Sequence, residues 1–450
     1  MLRWILGARE APSSAERSPV LLIGEEQPKN RFTELQVLKG HFDIVRFLVQ
    51  IDDFRCASAG DDALVLIWSV ETGERLQELR GHTQQITAIT TFSSTNGVAA
   101  HASLITASSD RSLSLWDPDT GNRVQTISDL QSSVKCLLVL ERQCVWISGG
   151  EELCVWSKDF QLQSQRQTHS DNGITALIEL PKNCIAAAMD KDIMIYRLTV
   201  STDSSVSVAE IRCLSNHQDQ IRSLITVNDG LFASGSHAGE LVVWDAVEWN
   251  MVARERILWE EPQAGTEIRL GAAQPSEVSI QHLSTNGKLI VAAVGGGLYV
   301  YNVLTRSVLA YRKQAHDSNV LHTSLLSDSD VMSCSEDGSV RMWEIQEQPL
   351  MAEATSAGLF GGMWSFGRSN KSSVHVSKKT PPDSAPVRTL ELTGDLIGHS
   401  GAVQMFISFN ESALVTCSTD HLLILWKDGQ RESQRRSLAL LHKLEEKGGL

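Results

Sequence analysis

Histidine and aspartate recur along this chain at a fixed separation. His41, His169, His316 and His399 each stand 21 residues before an aspartate (Asp62, Asp190, Asp337 and Asp420), and His82 stands 28 before Asp110. An imidazole beside a carboxylate is how a general base is held in one tautomer, and it is also part of many metal sites. Neither chemistry uses the same pair five times in one chain, so the repetition points to architecture. A partly buried imidazole costs less when a carboxylate holds it, and such a pair can fix the register of neighbouring strands. The other reactive patterns are missing. The eight cysteines include no CxxC pair and no zinc-like Cys/His spacing, and there is no Walker A loop or nucleophile elbow. Gly295-Gly296-Gly297 reads as a turn rather than a phosphate loop. The expectation is therefore a protein that is not an enzyme, with no catalytic residue, no metal and no cofactor.

The elements that position these pairs are short apolar runs ending in an aromatic. They are LVLIW to Trp68, SLSLW to Trp116, ELCVW to Trp156, DIMIY to Tyr196, ELVVW to Trp244, GLYVY to Tyr301, SVRMW to Trp343 and LLILW to Trp426. The intervals are 48, 40, 40, 48, 57, 42 and 83 residues, most of them close to the ~40–45 of a four-stranded propeller blade. Each paired Asp precedes its aromatic by six residues, and a His precedes it by 27 at His41, His169, His217, His316 and His399. At His82 the gap is 34 because residues 94–100 lengthen a loop. The pattern predicts an all-β, eight-bladed β-propeller with a short C-terminal helix. Three blades depart from it. Blade three has Asp129 or Gln131 where His belongs and Gly150 for the Asp; blade five keeps His217 but has Ala238; blade six has Gly295 and no matching His.

The units GHTQQITAIT…ASSDRSLSLWD and AHDSNVLHTSLL…SCSEDGSVRMWE resemble the WD-repeat family, and the likeness covers residues 31–427. It implies four antiparallel strands per blade and a hydrogen-bonded network of His, Ser or Thr, Asp and Trp. The run FTELQVLKGH (32–41) looks like an outer strand with no inner strands before it, whereas the last blade has no convincing fourth strand after Trp426. Residues 32–38 are therefore expected to complete that blade and seal the ring.

Three segments lie outside the repeat: a flexible N-terminal stretch (1–30) before the propeller (31–430), an insertion in blade seven (347–387), and a C-terminal amphipathic helix (431–450). The first carries Trp4 in an apolar run. The insertion holds Phe360, Met363, Trp364, Phe366 and Arg368 in GLFGGMWSFGR, and a loop of this length is usually functional or disordered. In the third, Leu438, Leu440, Leu441 and Leu444 fall at helical spacing. With 40 Lys plus Arg against 54 Asp plus Glu, the net charge of -14 argues against nucleic acid as a partner. The cysteines, scattered through strand-like runs, read as small buried hydrophobes in a reducing compartment. Met1 to Leu6 is too short for a signal peptide, and no apolar run is long enough to span a membrane.

Within the WD-repeat family the chain closely resembles the propeller subunit of a cytosolic complex with two DENN-domain proteins. That complex is associated with autophagy and small-GTPase regulation, and a PQ-loop cationic amino-acid transporter recruits it to lysosomes. The resemblance implies a scaffold in the cytoplasm and, peripherally, at the lysosomal membrane. The insertion residues 360–368 would engage the transporter; Trp4, Leu438, Leu441 and Leu444 would contact the DENN-domain partners. The rival reading is a substrate receptor of a cullin-type ubiquitin ligase. Many such receptors carry Trp-Asp-x-Arg, but Trp116-Asp117-Pro118-Asp119 and Trp244-Asp245-Ala246-Val247 lack the arginine.

Overall fold

The computed structural model describes residues 27, 29–94, 101–168, 170–201, 205–257, 278–346, 388–409 and 412–446. The chain builds blades of four antiparallel strands, each laid down from the inside of the ring outward. Blade one runs through Val45–Gln50, Arg55–Gly60, Val65–Ser69 and Arg75–Leu79. Its burial follows that order. Val65, Leu66, Ile67 and Trp68 on the third strand are all buried, because a neighbouring blade covers each face of the sheet; the fourth strand is exposed at Arg75 and Leu76, half-buried at Gln77 and Glu78, and buried only at Leu79. A strand covered on both faces reads as a continuous apolar run rather than an alternating one. This is why the aromatic-ended motif marks the third strand of each blade.

Blades two to eight repeat this plan. The innermost strands touch in sequence around the ring, and that of blade eight (Val403–Phe409) returns to that of blade one. Eight apolar clusters fill the eight seams between adjacent blades. There is no single central core. Each seam is a separate sandwich of two sheet faces, in keeping with the repeat-by-repeat logic of such folds.

The ring closes as the sequence suggests. The strand Glu34–Leu38 pairs antiparallel with Leu423–Lys427, from Glu34 opposite Lys427 to Leu38 opposite Leu423. Blade eight therefore takes three strands from one end of the described chain and one from the other. In the other blades a bulge sits beside the terminal aromatic where the third strand meets the fourth, as at Ile67/Trp68 and Val300/Tyr301; the closing strand has none. The bulged fourth strands follow their third strands in the chain, whereas the closing strand arrives from far away in sequence.

Blades six and seven are also joined at the rim. Their outer strands, Ser307–Arg312 and Arg388–Ile397, pair in parallel at Ala310–Arg388 and Tyr311–Thr389, making one eight-stranded sheet. After the last strand, Asp428 accepts hydrogen bonds from the backbone N–H groups of Gln430 (3.0 Å) and Arg431 (3.1 Å) and so caps the helix Gly429–Glu446. The helix begins two residues earlier than its leucine spacing indicates. None of the helices among the described residues is long and apolar enough to cross a membrane.

All eight cysteines are free thiols, and the expectation of uniform burial needs correcting: Cys144 and Cys213 are exposed, and Cys136 is half-buried. The buried ones do behave as inert apolar groups, with burial pushing the Cys56 thiol up to about 12.

Candidate functional site

The His/Asp pairs lie where the loop entering each blade meets the turn between its second and third strands. In blade one His41 Nδ1 is 2.8 Å from Asp62, His41 Nε2 is 2.8 Å from Ser58 Oγ, and Trp68 Nε1 donates to the same hydroxyl at 2.8 Å. The direction of the chain follows from its ends. An ionised carboxylate only accepts and an indole N–H only donates. Protons therefore point from Trp68 to Ser58, from Ser58 to His41 Nε2, and from His41 Nδ1 to Asp62. Asp62 also accepts from the backbone N–H of Phe42 (3.1 Å) and so ties the entering loop to the turn.

The same geometry recurs in three more blades. His82, Thr106, Trp116 and Asp110 form the network of blade two. His316, Ser333, Trp343 and Asp337 form that of blade seven. His399, Thr416, Trp426 and Asp420 form that of blade eight. Burial holds His82, His316 and His399 below the ordinary histidine value. For Asp337, burial alone would raise the carboxyl, but hydrogen bonds and charge from His316 and the hydroxyl of Ser339 hold it well below the usual range. A neutral imidazole locked between a hydroxyl and a carboxylate is a structural brace. Among the described residues no group of three or more His, Cys, Asp or Glu is placed to hold a metal ion.

In blade four, His169 lies outside the described residues. Asp190 is bonded there by Ser170 Oγ and Asn172 Nδ2, each at 2.6 Å.

Blade five holds a residue that sequence reading passes over. Ala238 occupies the aspartate position, and a carboxylate still approaches His217: Glu240 Oε2 lies 3.4 Å from His217 Nδ1, within ion-pair distance but not aligned as a hydrogen bond, so Nδ1 is buried without a hydrogen-bond partner. Glu240 also accepts from the backbone N–H of Gln218 (3.1 Å), the contact Asp62 makes to Phe42. It stands where Ser112 and Ser339 stand in blades two and seven, and those hydroxyls also reach their histidines, at 3.0 and 3.1 Å. The longer glutamate thus spans two residues of backbone that the aspartate position does not. Ser234 completes the network with His217 (2.6 Å) and Trp244 (2.8 Å), and Arg254 pairs with the far oxygen of Glu240.

Blade three retains half a network, with Trp156 Nε1 donating to Ser148 Oγ at 2.9 Å. Blades four and six end in Tyr196 and Tyr301 and have alanine or valine, not Ser or Thr, on the facing second strand. An aromatic without an indole N–H has no need of that hydroxyl.

The margin of the ring is different in character. The helix Gly429–Glu446 stands off the propeller, tied by Arg436 to Glu34 through two hydrogen bonds (2.8 and 2.9 Å) and by Arg435 to Glu71 (3.5 Å). Beyond these ties its apolar stripe is uncovered: Leu438 is 67% exposed, Leu440 60% and Leu441 48%. Contiguous exposed apolar side chains of this kind are a feature of interaction surfaces. Trp4, Phe360, Met363, Trp364, Phe366 and Arg368 lie outside the described residues, as does the side chain of Leu444.

Comparison with known proteins agrees with this architecture. The chain is 52% identical over its whole length to WD repeat-containing protein 41 of Homo sapiens and 48% identical to that of Mus musculus, covering 99% of each. Among solved structures, the computationally designed Ika8 protein matches 87% of this chain and 98% of its own at a TM-score of 0.62 and 18% identity, a likeness of fold alone. The family model of the WDR41 β-propeller matches residues 1–436, and this chain belongs to that family.

Proposed function

We propose that this chain is a non-catalytic scaffold, the propeller subunit of an assembly with two DENN-domain proteins. In this reading a PQ-loop cationic amino-acid transporter recruits the assembly to the lysosomal membrane, in support of autophagy and small-GTPase regulation. The observation that carries the scaffold role is the helix Gly429–Glu446, whose leucines project from the closing blade uncovered. The histidine networks support it from the other side, because the described His/Asp pairs of blades one, two, seven and eight are each committed to bracing a blade. The identity of the partners rests on the family resemblance. The helix and the N-terminal segment hold the DENN-domain proteins, and the insertion holds the transporter.

Replacing Trp364 and Phe366 by Ala tests the division of labour. The variant is expected to lose lysosomal recruitment while its melting temperature and its co-purification with the DENN-domain proteins stay unchanged. Undiminished recruitment contradicts the assignment of the insertion. Recovery of a cullin adaptor in place of the DENN-domain proteins replaces the whole reading.

A further inference from the structure

On one face of the ring, turns of neighbouring blades neutralise one another's charges. Arg55 of blade one pairs with Asp52 (2.7 Å) and with Asp119 of blade two (2.6 Å), and Lys288 of blade six reaches Asp328 of blade seven at 3.3 Å. Blades three and four break this pattern. Arg142 and Lys182 lie in the turns between their first and second strands, and Glu179 lies just before the second of these turns. Among the described residues, none of these three side chains has a hydrogen bond or an ion pair.

What bridges these two turns is uncharged: Gln143 Nε2 donates to Asn183 Oδ1 at 2.9 Å. The other end of that amide, Gln143 Oε1, is buried without a partner, a state that costs stability until something meets it. The five polar residues named here line a cavity of about 360 Å³, a volume in the range of ligand sites, and Pro181 and Val200 form its apolar side. The turn is strained where it meets the cavity. Lys182 and Asn183 are consecutive non-glycine residues with positive φ (59° and 58°), a conformation that L side chains rarely adopt. Val200 belongs to a wall. The strand Asp192–Val200 runs four residues past its terminal aromatic, Tyr196, whereas in blade one the strand ends one residue past Trp68. Its pairing with Val206–Leu214 continues to Val200 opposite Val206, and Leu198, Val206 and Val208 anchor this hairpin in the seam between blades three and four. Val200 itself is 50% exposed.

An occupant of this cavity has to bring negative charge for Arg142 and Lys182, beyond what Glu179 supplies, and a hydrogen-bonding group for Gln143. An extended acidic peptide has both: carboxylate side chains for the two cations, and a backbone N–H for the buried Gln143 oxygen. Its side chains alternate in direction, so an apolar one can pack on Pro181 and Val200 while its neighbours meet the cations. We propose that the cavity between blades three and four docks an acidic, extended segment of a partner protein. The net charge of -14 repels such a peptide from the chain as a whole, so its binding comes from this local excess of cations. The site goes beyond the proposed function, which places partners on the helix, the N-terminal segment and the insertion, so each can fail without the other.

Fluorescence anisotropy is followed as the full chain is titrated into a short fluorescein-labelled peptide of alternating Asp and Leu, with an Asn/Leu peptide as the uncharged control. The acidic peptide is expected to bind, and the control to bind about tenfold more weakly or not at all. Arg142→Ala/Lys182→Ala should weaken the acidic peptide about tenfold, the scale of two exposed ion pairs. Glu179→Gln should instead tighten it, about twofold, by removing a carboxylate from the wall. Both variants should melt at the parent temperature, since neither loses a contact of the fold. Failure of the acidic peptide to bind the parent, equal binding of the Asn/Leu control, or equal binding by Arg142→Ala/Lys182→Ala overturns the site. Displacement by free succinate as effective as by unlabelled peptide also overturns it, because the cavity would then hold a small dicarboxylate rather than a protein segment.

Discussion

A single hydroxyl serves two partners in each complete network, accepting from the tryptophan and donating to the histidine. Removing it leaves an indole N–H and an imidazole nitrogen unpaired in a buried seam, at a cost of about 1–3 kcal/mol. Ser58→Ala is therefore expected to lower stability by that amount in urea unfolding, and a change below a few tenths would mean the network is slack. In blade five, Glu240→Ser should destabilise by removing the carboxylate from His217, and adding Ala238→Asp should restore most of the loss. The His/Asp pairs of blades one, two, seven and eight were legible in the sequence because spacing alone reveals them, while the fifth includes His169, outside the described residues. Glu240 was not legible, because a carboxylate displaced by two positions breaks the spacing and meets His217 only at ion-pair distance. Equally hidden was the pair His282 and His322, on the inner strands of blades six and seven, with ring centroids 4.1 Å apart and His322 edge-on to Phe406. His282 Nδ1 takes the backbone N–H of Thr323 at 3.3 Å, whereas His322 Nδ1 is buried without a partner. Burial pushes His282 down to about 4 and His322 well below the ordinary 6.5. Both are folded as neutral rings and protonate more readily when unfolded, so their contribution is full above pH 6.5 and is lost as pH falls from there toward 4. Replacing both with Phe or Leu should flatten the fall in melting temperature between pH 7 and 4.5; an unaltered slope would show that the pair does not sense pH.

Among the elements, the closing strand is the one on which the others depend. The pairing of Glu34–Leu38 with Leu423–Lys427 covers an edge that would otherwise be open in every molecule. Deleting residues 32–38 is expected to lower the melting temperature by on the order of 10 °C and to promote aggregation, as read by scanning fluorimetry and light scattering. A melting temperature within a degree or two of the parent would mean that the ring closes some other way. This strand could be read in advance because an outer-strand motif without its inner strands implies a missing partner. The helix was only half legible. Leucine spacing gave its existence, but the cap at Asp428 and the solvent around Leu438, Leu440 and Leu441 depend on where the last blade ends. The hydrogen bond from the backbone N–H of Asp395 to Gln27 Oε1 carries no sequence signal at all, since it joins a side-chain amide to a backbone 368 residues away.

At the scale of the whole molecule, eight apolar seams make a rigid ring whose polar networks are used up in its own construction. At the margin of the closing blade the C-terminal helix leaves Leu438, Leu440 and Leu441 uncovered. The rigidity separates binding from folding, so surface changes there should alter partners without unfolding the ring. Affinity purification from cells, comparing the full chain with Leu438→Ser/Leu440→Ser/Leu441→Ser, tests this most directly. Both DENN-domain proteins should co-purify with the parent chain and be lost from the variant, with the two chains melting at the same temperature. Equal recovery of those partners from both would contradict the role of the helix as the scaffold's docking element.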